Sequence, residues 1–250
     1  MPFSLTFLLA SISPVIIFLY LIYRKDHVKE PWKLLLRCLI GGMFSTFLSL
    51  CISFPATKLS VLFPGNLLGS LHLSFLTAAI PEEIAKFAVL YWIVWKRPEF
   101  DHHYDGIIYS VFVSLGFALV ENLLYVAEGG LGVAFFRAIL AVPGHGFFAV
   151  LMGYYFSLAR FHENPKRRQF LIESLVLPIL FHGGYDFLLF YMSSSGAASP
   201  LLAVVLLVLF TILVIKLWRR GFQKISLHLV KDGEHIAAQA EGMKPHEDRI

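Results

Sequence analysis

The chain has 250 residues, 57% of them hydrophobic and only 15% charged, with a mean hydropathy of +0.70 and a formal net charge of +4. That balance excludes an ordinary soluble domain and gives enough apolar length for several membrane crossings. The positive charge requires no nucleic-acid partner, because its placement along the chain follows membrane topology.

Apolar runs of about 20 residues mark transmembrane helices. In chain order they cover roughly 3–23, 33–55, 71–95, 106–127, 132–158, 169–192 and 199–217. The first run has no basic residue ahead of it and no small-x-small cleavage site, so it reads as a retained anchor. Pro81 in the third run and Pro143–Gly144 in the fifth are helix breakers, which adds the alternative of extra half-helices, with 132–142 lying along the outer interface. Cys38 and Cys51 share the second run, too far apart on one helix to bridge. From about 221 to 250 the chain is polar and mixed in charge, without a hydrophobic period sufficient for a core, and reads as a cytoplasmic tail beyond a membrane domain of about 1–220.

Lys and Arg are held on the cytoplasmic side of a bilayer. They cluster after the first run (Arg24, Lys25, Lys29, Lys33, Arg37), the third (Lys96, Arg97), the fifth (Arg160, Lys166, Arg167, Arg168) and the seventh (Arg219, Arg220, Lys224), while Lys58 stands on the opposite side. The alternation predicts an all-α, polytopic bundle of about seven transmembrane helices, N-terminus outside and C-terminus cytoplasmic.

Ionisable side chains at membrane depth are costly, so they pair, face the bundle interior and mark functional sites. The third run carries Glu82, Glu83 and Lys86; the fourth Glu121 beside Asn122; the fifth Arg137 and His145; the sixth Glu173, His182 and Asp186. Counting about 1.5 Å per residue brings four of these runs' polar groups to a similar level, between the midplane and the outer third. Glu82 and Lys86 are spaced i,i+4 and share a face, which leaves Glu83 as the less compensated acid. His182 and Asp186 have the same spacing, suited to a carboxylate that orients an imidazole. Gly116, Gly144, Gly183 and Gly184 remove bulk where helices approach. Arg137 reads as a partner for Glu121 or Glu128 or as an interfacial anchor, Glu173 as half of an edge ion pair with Arg167 or Arg168, and His102 and His103 as a solvated loop.

The ordered motifs PEEIAK, DGIIYSVFVSLGFALVENLLY, RAILAVPGHGFFAVLMGYY and HGGYDFL, spread over about residues 79–190, resemble the PrsW family of bacterial intramembrane proteases. That family is grouped with the CAAX prenyl endopeptidases and the bacteriocin-immunity-type membrane proteins. The resemblance implies an intramembrane endopeptidase of the bacterial cytoplasmic membrane, with a catalytic core at about 71–192. It also implies a membrane-anchored protein substrate, an anti-sigma factor for the family's namesake. Carried over by motif, the catalytic residues are Glu82, Glu83, Glu121, His145 and His182, with Lys86, Asn122, Asp186 and Arg137 in support or in substrate binding. Where the wider group often has Arg after its paired acids and Asn after its last His, this chain has Lys86 and Asp186; the lysine fits the PrsW branch.

Hydrolysis inside a membrane needs a water, a base and donors for the developing oxyanion. Glu83 or Glu82 can serve as the base, with His145 and His182 as donors or proton shuttle, Lys86 keeping one acid ionised and Asn122 binding the substrate backbone. The same residues permit a zinc mechanism in which His145, His182 and Glu121 are ligands and another Glu is the base. HExxH, GxGD and a rhomboid-type serine motif are all absent. A rival class is a proton-coupled transporter or channel built on the same buried acids and histidines, and a third is a non-catalytic membrane scaffold.

Overall fold

The computed structural model describes residues 5–195 and 200–240, and every regular element among them is helical. α1 (Leu5–Lys25) and α2 (Trp32–Lys58) are joined by a short loop, and a 3-10 turn (Leu59–Leu62) closes α2. Next comes one long helical path: α3 (Gly65–Leu71), a π-helical segment (His72–Ala79) and α4 (Ile80–Val94). α5 (His103–Phe136), a second π segment (Arg137–Ala141) and α6 (Val142–Phe161) follow, then α7 (Lys166–Ser194) and α8 (Pro200–Ala240).

Four stretches among the described residues are long and apolar enough to cross a membrane: Leu5–Lys25, Trp32–Leu62, His103–Phe161 and Lys166–Ser194. The third of these is a hairpin, not a rod. Its partners run in opposite directions: Gly106 lies against Gly153, Ser114 Oγ donates to the His145 carbonyl at 3.0 Å, and Arg137 reaches Asn122 at 2.5 Å. Gly130, at φ 72° and ψ −161°, makes the reversal, a backbone conformation that residues with a Cβ rarely adopt.

α5 is the hub. Every residue from Tyr104 to Ala118 is buried, because α1, α2, α4, α6 and α8 all pack around it. Two of these contacts are backbone against backbone: a Cβ at Gly42 would stand 1.9 Å from the Val113 carbonyl oxygen, and one at Gly116 would stand 2.1 Å from that of Leu39. Close approach of this kind gains van der Waals contact where lipid offers no hydrophobic drive to association. Of the other glycines expected to make room, Gly183 faces the Phe75 ring, Gly144 has only ordinary contacts and Gly184 faces open space. Outer helices turn large apolar side chains outward, among them Phe44, Phe47 and Phe54 of α2 and Trp92 of α4, as a hydrocarbon solvent requires.

Pro81 and Pro143 do not split their helices. Each stands just after a π segment, at the start of the next α-helix. Proline lacks the N–H that would bond one turn back, and the widened π turn absorbs that defect without ending the helix. The fifth run is therefore helical through Pro143, and the chain reverses ahead of it, at Gly130.

Residues 221–240 also depart from expectation, since α8 continues through them as a packed helix. Leu217, Gly221, Ile225, His228 and Asp232 form a buried stripe at helical spacing. His228 Nε2 lies 3.2 Å from the Tyr154 carbonyl, and Asp232 accepts from the backbone N–H groups of His103 at 2.7 Å and Tyr104 at 2.8 Å, capping α5. His102 and His103 are accordingly structural: His102 supplies a capping box with Asp105, and His103 packs between Phe161 and His228. The part of the expected tail at 241–250 lies outside the described residues.

Candidate active site

Helical spacing places Glu82, Glu83 and Lys86 within one turn of α4, and the site grows from the lysine. Lys86 is 1% exposed; its Nζ donates to Glu83 Oε1 at 2.8 Å and Glu82 Oε2 at 3.2 Å, and lies 3.2 Å from His145 Nδ1 on α6. The Phe117 ring of α5 closes the remaining side, its centroid 4.2 Å from the ammonium. An ammonium buried this completely is tolerable only because two carboxylates surround it.

Glu83 is the more compensated acid, contrary to the reading from spacing. Besides Lys86 it receives His182 Nδ1 at 2.8 Å, whereas Glu82 is 4.0 Å from His182 Nε2 and keeps 12% of its side chain exposed. The i,i+3 geometry lets Lys86 reach Glu83 as easily as Glu82 at i,i+4, and the approach of α7 decides between them. The second oxygen of Glu83, Oε2, is buried with no partner among the described residues.

His145 presents Nδ1 to Lys86 and Nε2 to Glu121 at 2.9 Å. Because the ammonium can only donate, Nδ1 accepts and Nε2 carries the proton given to Glu121. Arg137 holds the same Glu121 oxygen at 2.6 Å and stacks its guanidinium 4.4 Å from the Tyr125 centroid. His182 faces a carboxylate on each side, Glu83 at 2.8 Å and Asp186 Oδ2 at 3.3 Å, and its ring lies flat on Phe148 at 4.8 Å. The i,i+4 pairing of His182 with Asp186 is therefore realised, and Arg137 has Glu121 as its partner.

Asn122 is wholly buried and engaged at both ends: Oδ1 accepts from Arg137 Nε, and Nδ2 donates to the Ser11 carbonyl of α1 at 3.0 Å. Both ends of the amide are thus tied to the protein in this arrangement. Glu173 lies apart from the cluster and accepts from Gln169 at 2.7 Å. Three contributors escape a scan for ionisable groups: Ser11, Ser114 and Phe148 are a serine carbonyl, a serine hydroxyl and an aromatic ring. Tyr185 is a fourth, and its spacing of three residues from His182 is the signal that would have found it.

Ligand atoms of Glu82, Glu83, His145 and His182 all lie within 4.8 Å of one another. Glu121 stands outside that group, across the His145 ring. A cavity of about 480 Å³ leads to the histidines, bounded by His145, His182, Glu121, Arg137 and Asp186 on its polar side and by apolar side chains of α5, the second π segment, α6, α7 and α8 elsewhere.

Carboxylates and imidazoles drawn from four apolar helices, with a cavity reaching them, define a class: a helical membrane protein with a buried polar centre. Comparison with known proteins places it further. Residues 30–215 match the family model described as PrsW family intramembrane metalloprotease, and the chain belongs to that family. It is 40% identical over 186 residues to Protease PrsW of Bacillus subtilis, covering 74% of this chain and 83% of that one. Protease PrsW of Oceanobacillus iheyensis is 39% identical over 185 residues, with the same coverage. Protease PrsW of Clostridioides difficile is 32% identical over 232 residues, 90% of this chain and 92% of its own. No solved structure matches the chain.

Proposed function

We propose that the chain is an intramembrane endopeptidase that cleaves a membrane-anchored protein, an anti-sigma factor being the substrate type, with Glu82, Glu83, Glu121, His145 and His182 as its reaction centre. The observation that carries this is the convergence of acids and imidazoles from α4, α6 and α7 within 4.8 Å at the end of the cavity.

Glu82, the more accessible and less compensated of the paired acids, takes the proton of the attacking water. Glu83 stays ionised between Lys86 and His182 and fixes both. His182, held between Glu83 and Asp186, delivers a proton to the leaving amine. Glu121, clamped by Arg137, sets the His145 tautomer.

The donors also fit a metal ion. Glu83 Oε2 is a buried oxygen without a partner among the described residues, and the oxygen and imidazole donors around it form a zinc-type set. Glu82, Glu83, His145 and His182 would hold the ion, with Glu121 in support. Bound there, it would supply Lewis-acid polarisation of carbonyl and water. Lys86 contacts three of these four residues, so its ammonium competes with an ion for the same lone pairs and offsets part of the carboxylate charge when no ion is bound.

Seven crossings with the N-terminus outside, in a bacterial cytoplasmic membrane, complete the reading. Its support is that the basic loops gather at one end of the bundle: Tyr104 bonds the Ile22 carbonyl at 2.9 Å, Arg160 reaches the Phe100 and Arg97 carbonyls at 3.3 Å, and Asp232 caps α5.

The test is cleavage of a transmembrane peptide by purified, reconstituted protein. Glu82→Gln, Glu83→Gln and His182→Ala each abolish fragment release at unchanged expression, and a chelator abolishes it if an ion is held. Release at the parental rate by Glu83→Gln removes the proposal, and proton flux into proteoliposomes without fragments supports the transporter class instead.

A further inference from the structure

One polar group at the cavity has no role so far. Tyr185 of α7 lines the cavity beside His145, His182 and Arg137, is only 5% exposed, and its hydroxyl has no hydrogen-bond partner among the described residues. A buried hydroxyl is ordinarily bonded, so an orphan costs folding free energy and calls for an explanation. Its placement is not loose. The ring is held by Phe148 at 5.9 Å, edge to face, and by Phe210 of α8 at 5.0 Å. Its Cζ stands 4.0 Å from where a Cβ of Gly144 would be, so the hydroxyl is next to the residue that precedes His145. Being three residues from His182, it lies on the same face of α7, one turn along.

We propose that the Tyr185 hydroxyl is a catalytic hydrogen-bond donor to the scissile carbonyl oxygen as that oxygen gains negative charge. The inference rests on the protease reading above. Both imidazoles already hold carboxylates, and Asn122 and Arg137 are committed to each other, to Ser11 and to Glu121. Two phenols line the cavity: Tyr125 is 48% exposed and lies under the Arg137 guanidinium, whereas Tyr185 carries the buried O–H that no described residue claims. A preorganised donor in an enclosed, water-poor site needs no reorganisation when charge develops, which is where such donors act most strongly. Phe148 links the two functions, stacking on His182 with one face and bracing Tyr185, so a single side chain fixes imidazole and phenol relative to each other.

Tyr185→Phe removes the oxygen and keeps the ring packing. In reconstituted full-length protein cleaving a transmembrane peptide, kcat falls about 100-fold or more, with KM and the thermal midpoint held and the pH profile keeping its limbs in place. Retained kcat overturns the assignment. So does a rise in KM at constant kcat, which marks a ground-state contact, or a displaced alkaline limb, which marks proton transfer by the phenol. A fall in the thermal midpoint matching the loss of activity also overturns it, since it shows that the hydroxyl was serving the fold. Glu83→Gln in the same assay separates the two levels: if it is inactive while Tyr185→Phe is fully active, only the donor assignment fails, and if it is fully active, the protease reading of the cluster fails with it.

Discussion

Lys86→Met keeps the length of the side chain and deletes its charge. In the parent the ammonium stands 2.8 Å from Glu83 and 3.2 Å from Glu82 and is 1% exposed. Charges about 3 Å apart attract by about 5 kcal/mol at an effective dielectric constant near 20. Desolvation of all three groups offsets much of this, but truncating one partner leaves buried charge uncompensated, and that costs about 3–5 kcal/mol. We expect the variant to unfold at a correspondingly lower denaturant concentration in micelles, followed by tryptophan fluorescence. Adding Glu83→Gln should recover a large part of the loss, because the two residues form one network and their effects are not additive. Zn2+ should stabilise Lys86→Met more than the parent if the four donors hold an ion once the competing ammonium is gone. A single variant that unfolds at the parental midpoint would refute the account of Lys86 as the counter-charge of the paired acids.

Asn122→Ala leaves the Ser11 carbonyl and Arg137 without their partner, and should lower stability by about 1–3 kcal/mol while slowing cleavage, because Arg137 then no longer holds Glu121 steady; equal stability and activity would show the clamp to be idle. Gly116→Ala forces a methyl group to 2.1 Å from the Leu39 carbonyl oxygen, so α2 and α5 must separate; folded yield after detergent extraction should drop sharply, whereas Gly184→Ala, with nothing within 4 Å, should be neutral. Glu30, in the loop between α1 and α2, is buried against Tyr109, and burial raises its pKa to about 7 from 4.5. The folded chain thus binds a proton that the unfolded chain releases, so its stabilising contribution is full below about pH 4.5 and is lost as pH rises through about 7. Glu30→Gln should flatten the thermal midpoint against pH across that window, and an unchanged slope would show that Glu30 does not titrate there.

The sequence by itself determined the solvent, the helical class, the runs that became α1, α2 and α7, and which acids and histidines meet at the cavity: Glu82, Glu83, Glu121, His145, His182 and Asp186. Those follow from local quantities: apolar length against hydrocarbon thickness, and the cost of placing charge in it. The i,i+4 spacing likewise anticipated the contact of His182 with Asp186, since both residues lie on one helix. What it could not determine was which acid is best compensated, because Lys86 reaches Glu82 and Glu83 alike and the balance is set by His182 arriving from another helix. The commitment of Asn122 to Ser11, on a helix with no Asp, Glu, His, Lys or Arg in its interior, was equally hidden, as was the packing of 221–240, whose buried stripe includes Gly221, His228 and Asp232, residues that a hydropathy scale does not count as core. Only the tertiary structure joined the acids, the imidazoles and the unclaimed phenol around one cavity, because distances between helices depend on backbone approaches such as Gly42 to Val113 and Gly116 to Leu39, and these have no signature in the periodicity of either helix alone.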